Sequence, residues 1–255
     1  MIRRLIDWWR GPQPVVIPEA LWQATLADLS FLARLDTGET ARLRQLAGKF
    51  LARKQFSAAG GLSLTDAMCV NIAAQGCLPV LELGLEAYGS WVEVIIYPDE
   101  FIVERRIEDE NGVVHEFADI LSGEAWPGGP LIISWQDAHM AGEGYSVVIH
   151  EFVHKLDMQS GEADGMPPLH SGLRRMEWES ILFAAYEHFC RQVDSGRETL
   201  LDPYASEHPA EFFAVFSEAF FVTPALVYDE FRAFYDLLVR YFRQDPLRRG
   251  KPNLE

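Results

Sequence analysis

Residues 145–157 read YSVVIHEFVHKLD, and the order of residue types in this stretch decides most of the architecture around it. Val148, Ile149, Phe152, Val153 and Leu156 recur at helical spacing, which predicts a helix with an apolar body. On that helix His150 and His154 are four residues apart and face the same way. Two neutral imidazole nitrogens on one helical face supply half of a tetrahedral zinc site without any loop having to be ordered around it. Glu151 follows the first histidine by one position, from where it can approach a metal-bound water without being a ligand. The apolar flanks argue against a solvated helix: an unpaired Glu151 in a buried one costs several kcal/mol of desolvation, and a nearby divalent cation favours its ionised form.

A catalytic zinc needs a third protein ligand and an open position for water. The extended pattern HExxHxxGxxH requires glycine at 157 and histidine at 160, where this chain has Asp157 and Ser160. The third ligand therefore comes from elsewhere, and the downstream candidates are Asp157, His170, His188, His208, Glu211 and Glu218. Glu211 has the best surroundings, in the apolar run PAEFFAVFSEAFF from Pro209 to Phe221, where a lone carboxylate needs a partner. Near the start of that predicted helix the dipole also keeps it ionised. Glu218, seven residues on, shares nearly the same face and is either the acceptor for a ligand histidine or one half of a surface ion pair. Asp157 reads as a second support of the site or as a helix-terminal loop anchor, and His170 and His208 as loop residues. On the residues alone, Tyr204 after Asp202-Pro203 is a turn aromatic.

Upstream, leucines and aromatics from Pro18 to about Lys54 keep helical spacing, interrupted at Asp36 to Gly38, and a further helix starts at Ser63 or Thr65. Strand-like segments follow at Trp91 to Tyr97 and Phe101 to Arg106, with a hairpin turn at Asn111-Gly112, and another at Leu131 to Trp135. Helices return at about 145–157, 173–194, 208–221 and 225–243. The class is α+β: N-terminal helices over residues 1–75, then a core over 76–255 with a small, mostly antiparallel sheet, the zincin-type HExxH helix and a downstream glutamate helix. Leu131 to Trp135, just ahead of the metal helix, is expected to be a sheet edge that pairs with extended substrate. The glycine-rich loop Met158 to Pro168 is the candidate cover of the site.

The chain has 255 residues, 49% hydrophobic and 24% charged, the composition of a folded domain. Its 22 basic and 38 acidic side chains give a formal charge of -16, which repels nucleic acid and anionic membrane alike. Cys69, Cys77 and Cys190 form no CxxC pair and leave one cysteine over, so a reducing cytoplasm is the expected location. Asp7 and Arg10 break the apolar run of MIRRLIDWWRGP, which is not a secretory signal, and no uncharged stretch is long enough to span a membrane.

HEFVHKLDMQSGEADGMPPL (150–169), SGEAWPGGPLIISW (122–135) and YASEHPAEFFAVFSEAFF (204–221) together resemble the Mlc titration factor A family of bacterial zinc peptidases. The metal site of that family in turn resembles the catalytic domain of anthrax lethal factor. The resemblance implies one zinc per chain on His150, His154 and Glu211, Glu151 as general base, and Tyr204 as a phenol close to the metal. It also implies peptide or protein substrates, aminopeptidase-like action, and binding of the glucose repressor Mlc. Two competing functions remain open: a non-catalytic protein that titrates a DNA-binding repressor, and a zinc hydrolase of some non-peptide bond.

Overall fold

The computed structural model describes residues 13–108, 114–142 and 144–249. The N-terminal dodecapeptide and the Asn111-Gly112 turn read from the sequence lie outside them. Helix α1 (Glu19–Asp28) leads through a 3₁₀ turn (Ser30–Arg34) to α2 (Thr37–Arg53). The break between them is chemical: the Asp36 carboxylate accepts from Glu39 N–H at 2.7 Å, and the Glu39 carboxylate accepts from Asp36 N–H at 3.0 Å. A short strand, β1 (Gln55–Ala58), follows at once, and Thr65 then caps α3 (Asp66–Cys77) by accepting from Met68 N–H.

Strand β2 (Glu93–Tyr97) lies parallel to β1, Phe56 opposite Val94. The chain next runs out and back as an antiparallel hairpin, β3 (Phe101–Glu108) and β4 (Val114–Leu121), with Ile102 opposite Ile120. It then adds β5 (Gly123–Ala125) and β6 (Leu131–Ser134). The main sheet has the order β1-β2-β6-β5, with β6 parallel to β2 and β5 antiparallel to β6. Antiparallel pairing thus holds for the hairpin and for β5–β6. The other two pairings, β1–β2 and β2–β6, are parallel because α3 and the hairpin excursion act as crossovers long enough to return the chain in the same direction. The expectation that Leu131 to Trp135 forms a sheet edge is corrected: β6 is flanked on both sides, and the outer strand beside the metal helix is β5.

The second half supplies α4 (Trp135–His139), α5 (Val147–Asp157), α6 (Arg175–Asp194), α7 (Pro209–Val222), α8 (Pro224–Glu230) and α9 (Arg232–Phe242). The single helix read over 225–243 is two, bent where buried Phe231 turns its ring edge-on to Phe216, 4.8 Å between centroids. α5 is sandwiched between the sheet, α3 and α7. Gly76 makes the α3 approach possible, since a Cβ there would lie 2.3 Å from the Phe152 ring. α7 is buried almost throughout, with Phe212, Phe213, Phe216 and Phe220 packed among Trp178, Phe189, Phe234 and Phe242. No single described helix is long and apolar enough to cross a membrane; α7 and α8 together have the composition, but they bend by 118°.

Candidate metal centre

Ser146 starts α5, its hydroxyl accepting from Ile149 N–H at 3.1 Å, and the register so fixed puts His150 and His154 on the face turned toward α7. Pro209 and the His208 cap start α7, placing Glu211 in its first turn. Three atoms converge where the helices cross. His150 Nε2 and His154 Nε2 are 3.0 Å apart, and Glu211 Oε2 lies 3.1 Å from the first and 3.3 Å from the second. Among the described residues these three form the group of His, Cys, Asp and Glu able to hold a metal ion.

The donor set fits a metal. In a tetrahedral site with bonds of about 2.0–2.1 Å, ligand atoms sit about 3.3–3.4 Å apart, close to the spacings observed. The tautomers point the same way: His150 Nδ1 is 2.6 Å from Glu218 Oε1 and can only donate there, which leaves the Nε2 lone pair facing the second imidazole. Two nitrogens and a carboxylate oxygen this close are held together by a proton or a cation between them. The electrostatics register this at His150. Burial opposes its charged form, yet hydrogen bonds to Glu211 and Glu218 and the field of Glu218 and Glu151 raise its pKa well above the usual imidazole range. Glu211 answers in kind: burial pushes its carboxyl up, but both histidines hold it well below the usual carboxylate range.

Glu218 has a double attachment. One oxygen takes the His150 proton, and the other accepts from Ser146 N–H at 2.8 Å, at the positive end of α5. Of the two readings open for this residue, it is the hydrogen-bond partner of His150 and no surface ion pair, being 4% exposed. The network continues inward: Ser146 Oγ donates to Gln75 Oε1 at 2.7 Å, and Gln75 Nε2 donates to Asn71 Oδ1 at 2.7 Å and Ala138 O at 3.0 Å. Helix α3 thereby braces the site. On the other imidazole no such support is found among the described residues, where His154 Nδ1 is buried without a partner.

Glu151 is 6% exposed and sits beneath β5, where burial raises its pKa against the lowering effect of both histidines. Tyr204 stands in a 3₁₀ turn (Pro203–Ser206) capped by Asp202, with its ring 6.4 Å from that of His150. Burial and then the Glu211 charge raise its pKa, so it remains a protonated phenol. All five predicted residues border one cleft of about 660 Å³, together with Glu124, Trp126, Met158, Ala163 and His208. Two other candidates lie apart: His188 is edge-on to Phe231, and His170 bonds the α9 carbonyls of Arg240 and Tyr241.

Two residues of the cleft escaped the sequence reading. Lys155 is 1% exposed and donates to the carbonyls of Trp126, Gly129 and Pro130 at 2.6, 2.9 and 3.0 Å, pinning the turn that forms one wall. Burial lowers its pKa to about 8. Gly123 on β5 lies over Glu151, where any Cβ would be 2.6 Å from its Cγ. A lysine in an apolar helical register and a glycine in a strand were the available signals. Asp157 proves to be the loop anchor, accepting from Gly165 N–H at 2.7 Å, and Trp178 Nε1 donates to the Gly165 carbonyl at 2.8 Å. The loop after α5 is thus tied at its middle while Met158 and Ala163 line the cleft.

A family model described as glucose-regulated metallo-peptidase M90 matches residues 6–243. The chain belongs to that family. It is 41% identical over 252 residues to Mlc titration factor A of Serratia proteamaculans (strain 568), which covers 96% of this chain and 95% of that protein. The protein of the same name from Pectobacterium atrosepticum is 39% identical, over 97% of this chain and 95% of its own. That of Klebsiella pneumoniae subsp. pneumoniae is 38% identical, over 98% and 96%. An M90 membership agrees with a site whose three donor atoms suit a divalent cation and whose neighbouring glutamate is no ligand.

Proposed function

We propose that the chain is a zinc-dependent peptidase in which His150, His154 and Glu211 hold the metal. The observation that carries this reading is the triangle of His150 Nε2, His154 Nε2 and Glu211 Oε2 at 3.0–3.3 Å, with buried Glu151 beside it. Two imidazoles and one carboxylate are a donor set that zinc accepts while keeping a position free. Zinc held by these three residues would acidify a water and polarise a substrate carbonyl. Glu151 then takes the proton of the attacking water and delivers it to the leaving nitrogen, a role suited to a carboxylate whose pKa burial has raised. Tyr204 donates a hydrogen bond from its phenol to the developing oxyanion, a contribution whose loss costs about a hundredfold. The outer strand for an extended substrate is β5, over the base.

Metal analysis by mass spectrometry on wild type and Glu211→Gln, followed by peptide hydrolysis with and without chelator, tests this. One zinc per chain, weakened by the substitution and required for hydrolysis, is the expected result. A folded wild type that binds no added zinc refutes it.

The relatives' shared name favours a second role, binding a counterpart of the repressor Mlc as a protein partner. Glu151→Gln separates the two roles. Retained repressor binding with hydrolysis lost supports titration independent of catalysis, and loss of both ties binding to the working site.

A further inference from the structure

A second cavity, of about 580 Å³, opens on the Glu218 side of the centre and shares Gly123, His150, Glu151 and Tyr204 with the cleft described above. A peptide whose carbonyl lies between Glu151 and Tyr204 would have this space beside it for a neighbouring side chain. Val147, one turn before His150, and Val215, one turn after Glu211, line its inner part, and Leu201 and Leu226 line it further out. Ile120 from the hairpin and Leu200 stand at the mouth, 66% and 58% exposed. Among the described residues no lysine or arginine lines the cavity. Of its three carboxylates, Glu218 holds His150 and Ser146, Asp202 caps the turn of Tyr204 through one oxygen, and Glu151 is the proposed base. An aliphatic or aromatic side chain entering would cover the apolar wall and the exposed rim.

We propose that this cavity receives a large aliphatic or aromatic side chain of the residue next to the scissile bond, and that Val147, Val215 and Leu226 set this preference. The inference rests on the peptidase reading. It selects for size and apolarity on one fixed side of the bond, while the other side faces the more polar cleft of Glu124, His208 and Glu211.

The test is cleavage profiling of a mixed peptide library by the zinc-loaded full chain, with mass-spectrometric mapping of the bonds cut. Leucine, methionine or phenylalanine on one fixed side is expected to be favoured about tenfold to a hundredfold over glycine, alanine or aspartate. Val215→Phe, which fills the inner part, is expected to reduce the leucine-to-alanine ratio of kcat/KM about tenfold with metal content unchanged. Leu226→Trp, at a partly exposed rim position, gives the same reading if Val215→Phe fails to fold. A second arm needs no catalysis: ligand-observed NMR of the metal-free protein with N-acetyl-leucine amide against N-acetyl-alanine amide, where selective leucine binding lost in the variants is expected. Cleavage indifferent to the flanking side chain, or a preference for lysine and arginine, overturns the proposal and leaves the peptidase reading standing. If no peptide is cleaved, the peptidase reading falls; the NMR arm then sustains the cavity's preference if leucine is selected and overturns it if not.

Discussion

Replacing Gly123 with alanine is a one-methyl perturbation aimed at the proposed base. The added Cβ would lie 2.6 Å from Glu151 Cγ, 2.7 Å from its Oε1 and 2.8 Å from Val147 Cγ2. The backbone of Gly123 is not in the left-handed region, so alanine is conformationally allowed and the effect is steric. Ordinary carbon–carbon contact needs about 3.5 Å, so the Glu151 side chain or β5 has to retreat by roughly 0.9 Å. A misplacement of about 1 Å costs about a hundredfold in rate, or about 2.7 kcal/mol of barrier. The histidines and Glu211 are not among the atoms approached, so zinc affinity is expected to hold. The assay pairs kcat/KM on a fluorogenic peptide with metal content of the same sample. Activity within threefold of wild type, or metal lost along with activity, refutes the claim that this glycine exists to seat Glu151.

Glu218→Gln keeps one acceptor where two are used, by His150 Nδ1 and by Ser146 N–H, so metal affinity is expected to fall about 10- to 100-fold in a competitive chelator titration. Lys155→Met keeps the aliphatic stem but strips three carbonyls of their donor, which is expected to cost about 2 kcal/mol and about 4–8 °C in melting temperature, with KM raised as the Trp126–Pro130 wall loosens. Asp157 supplies a pH test. Burial raises its pKa from 3.8 to about 6, so the folded state disfavours the carboxylate; that penalty is complete above pH 6 and is relieved as pH falls from 6 toward 3.8. Asp157→Asn, whose amide oxygen can still accept from Gly165 N–H, is therefore expected to gain stability relative to wild type at pH 7–8 and to lose that advantage toward pH 4, by paired thermal melts. A difference independent of pH would refute the assignment.

The parts of this architecture visible in the sequence are those whose signal is local. The apolar spacing around His150, Glu151 and His154 carries its own helix, and PAEFF marks a helix start with a carboxylate in its first turn, so both halves of the centre could be read before they were seen to meet. What could not be read is non-local. β1 has only four residues, two of them polar, and is a strand because β2 lies beside it. The direction of β6 and the covering of its edge by β5 depend on how the chain returns from the hairpin, which alternation of residue types does not encode. Glu218 shows the same limit on a finer scale: its position relative to Glu211 was legible, but its second oxygen at the start of α5 was not.

The composition of α5 explains why the site tolerates so little local freedom. Of its eleven residues, His150, Glu151, His154, Lys155 and Asp157 are ionisable, and four of these five are buried. A helix so charged gains its place in the core from Val148, Ile149, Phe152, Val153 and Leu156, all at most 1% exposed, which fill the space between the sheet, α3 and α7. The polar residues divide the remaining work by position along the helix. His150 and His154 face Glu211, Glu151 turns toward β5, Lys155 fixes the turn on one side of the cleft, and Asp157 fixes the loop at its end. Because one rigid helix carries all five, a shift that repaired one contact would disturb the others. This is the preorganisation that the proposed base would need, since displacement of order 1 Å at a reacting group is enough to cost most of a rate.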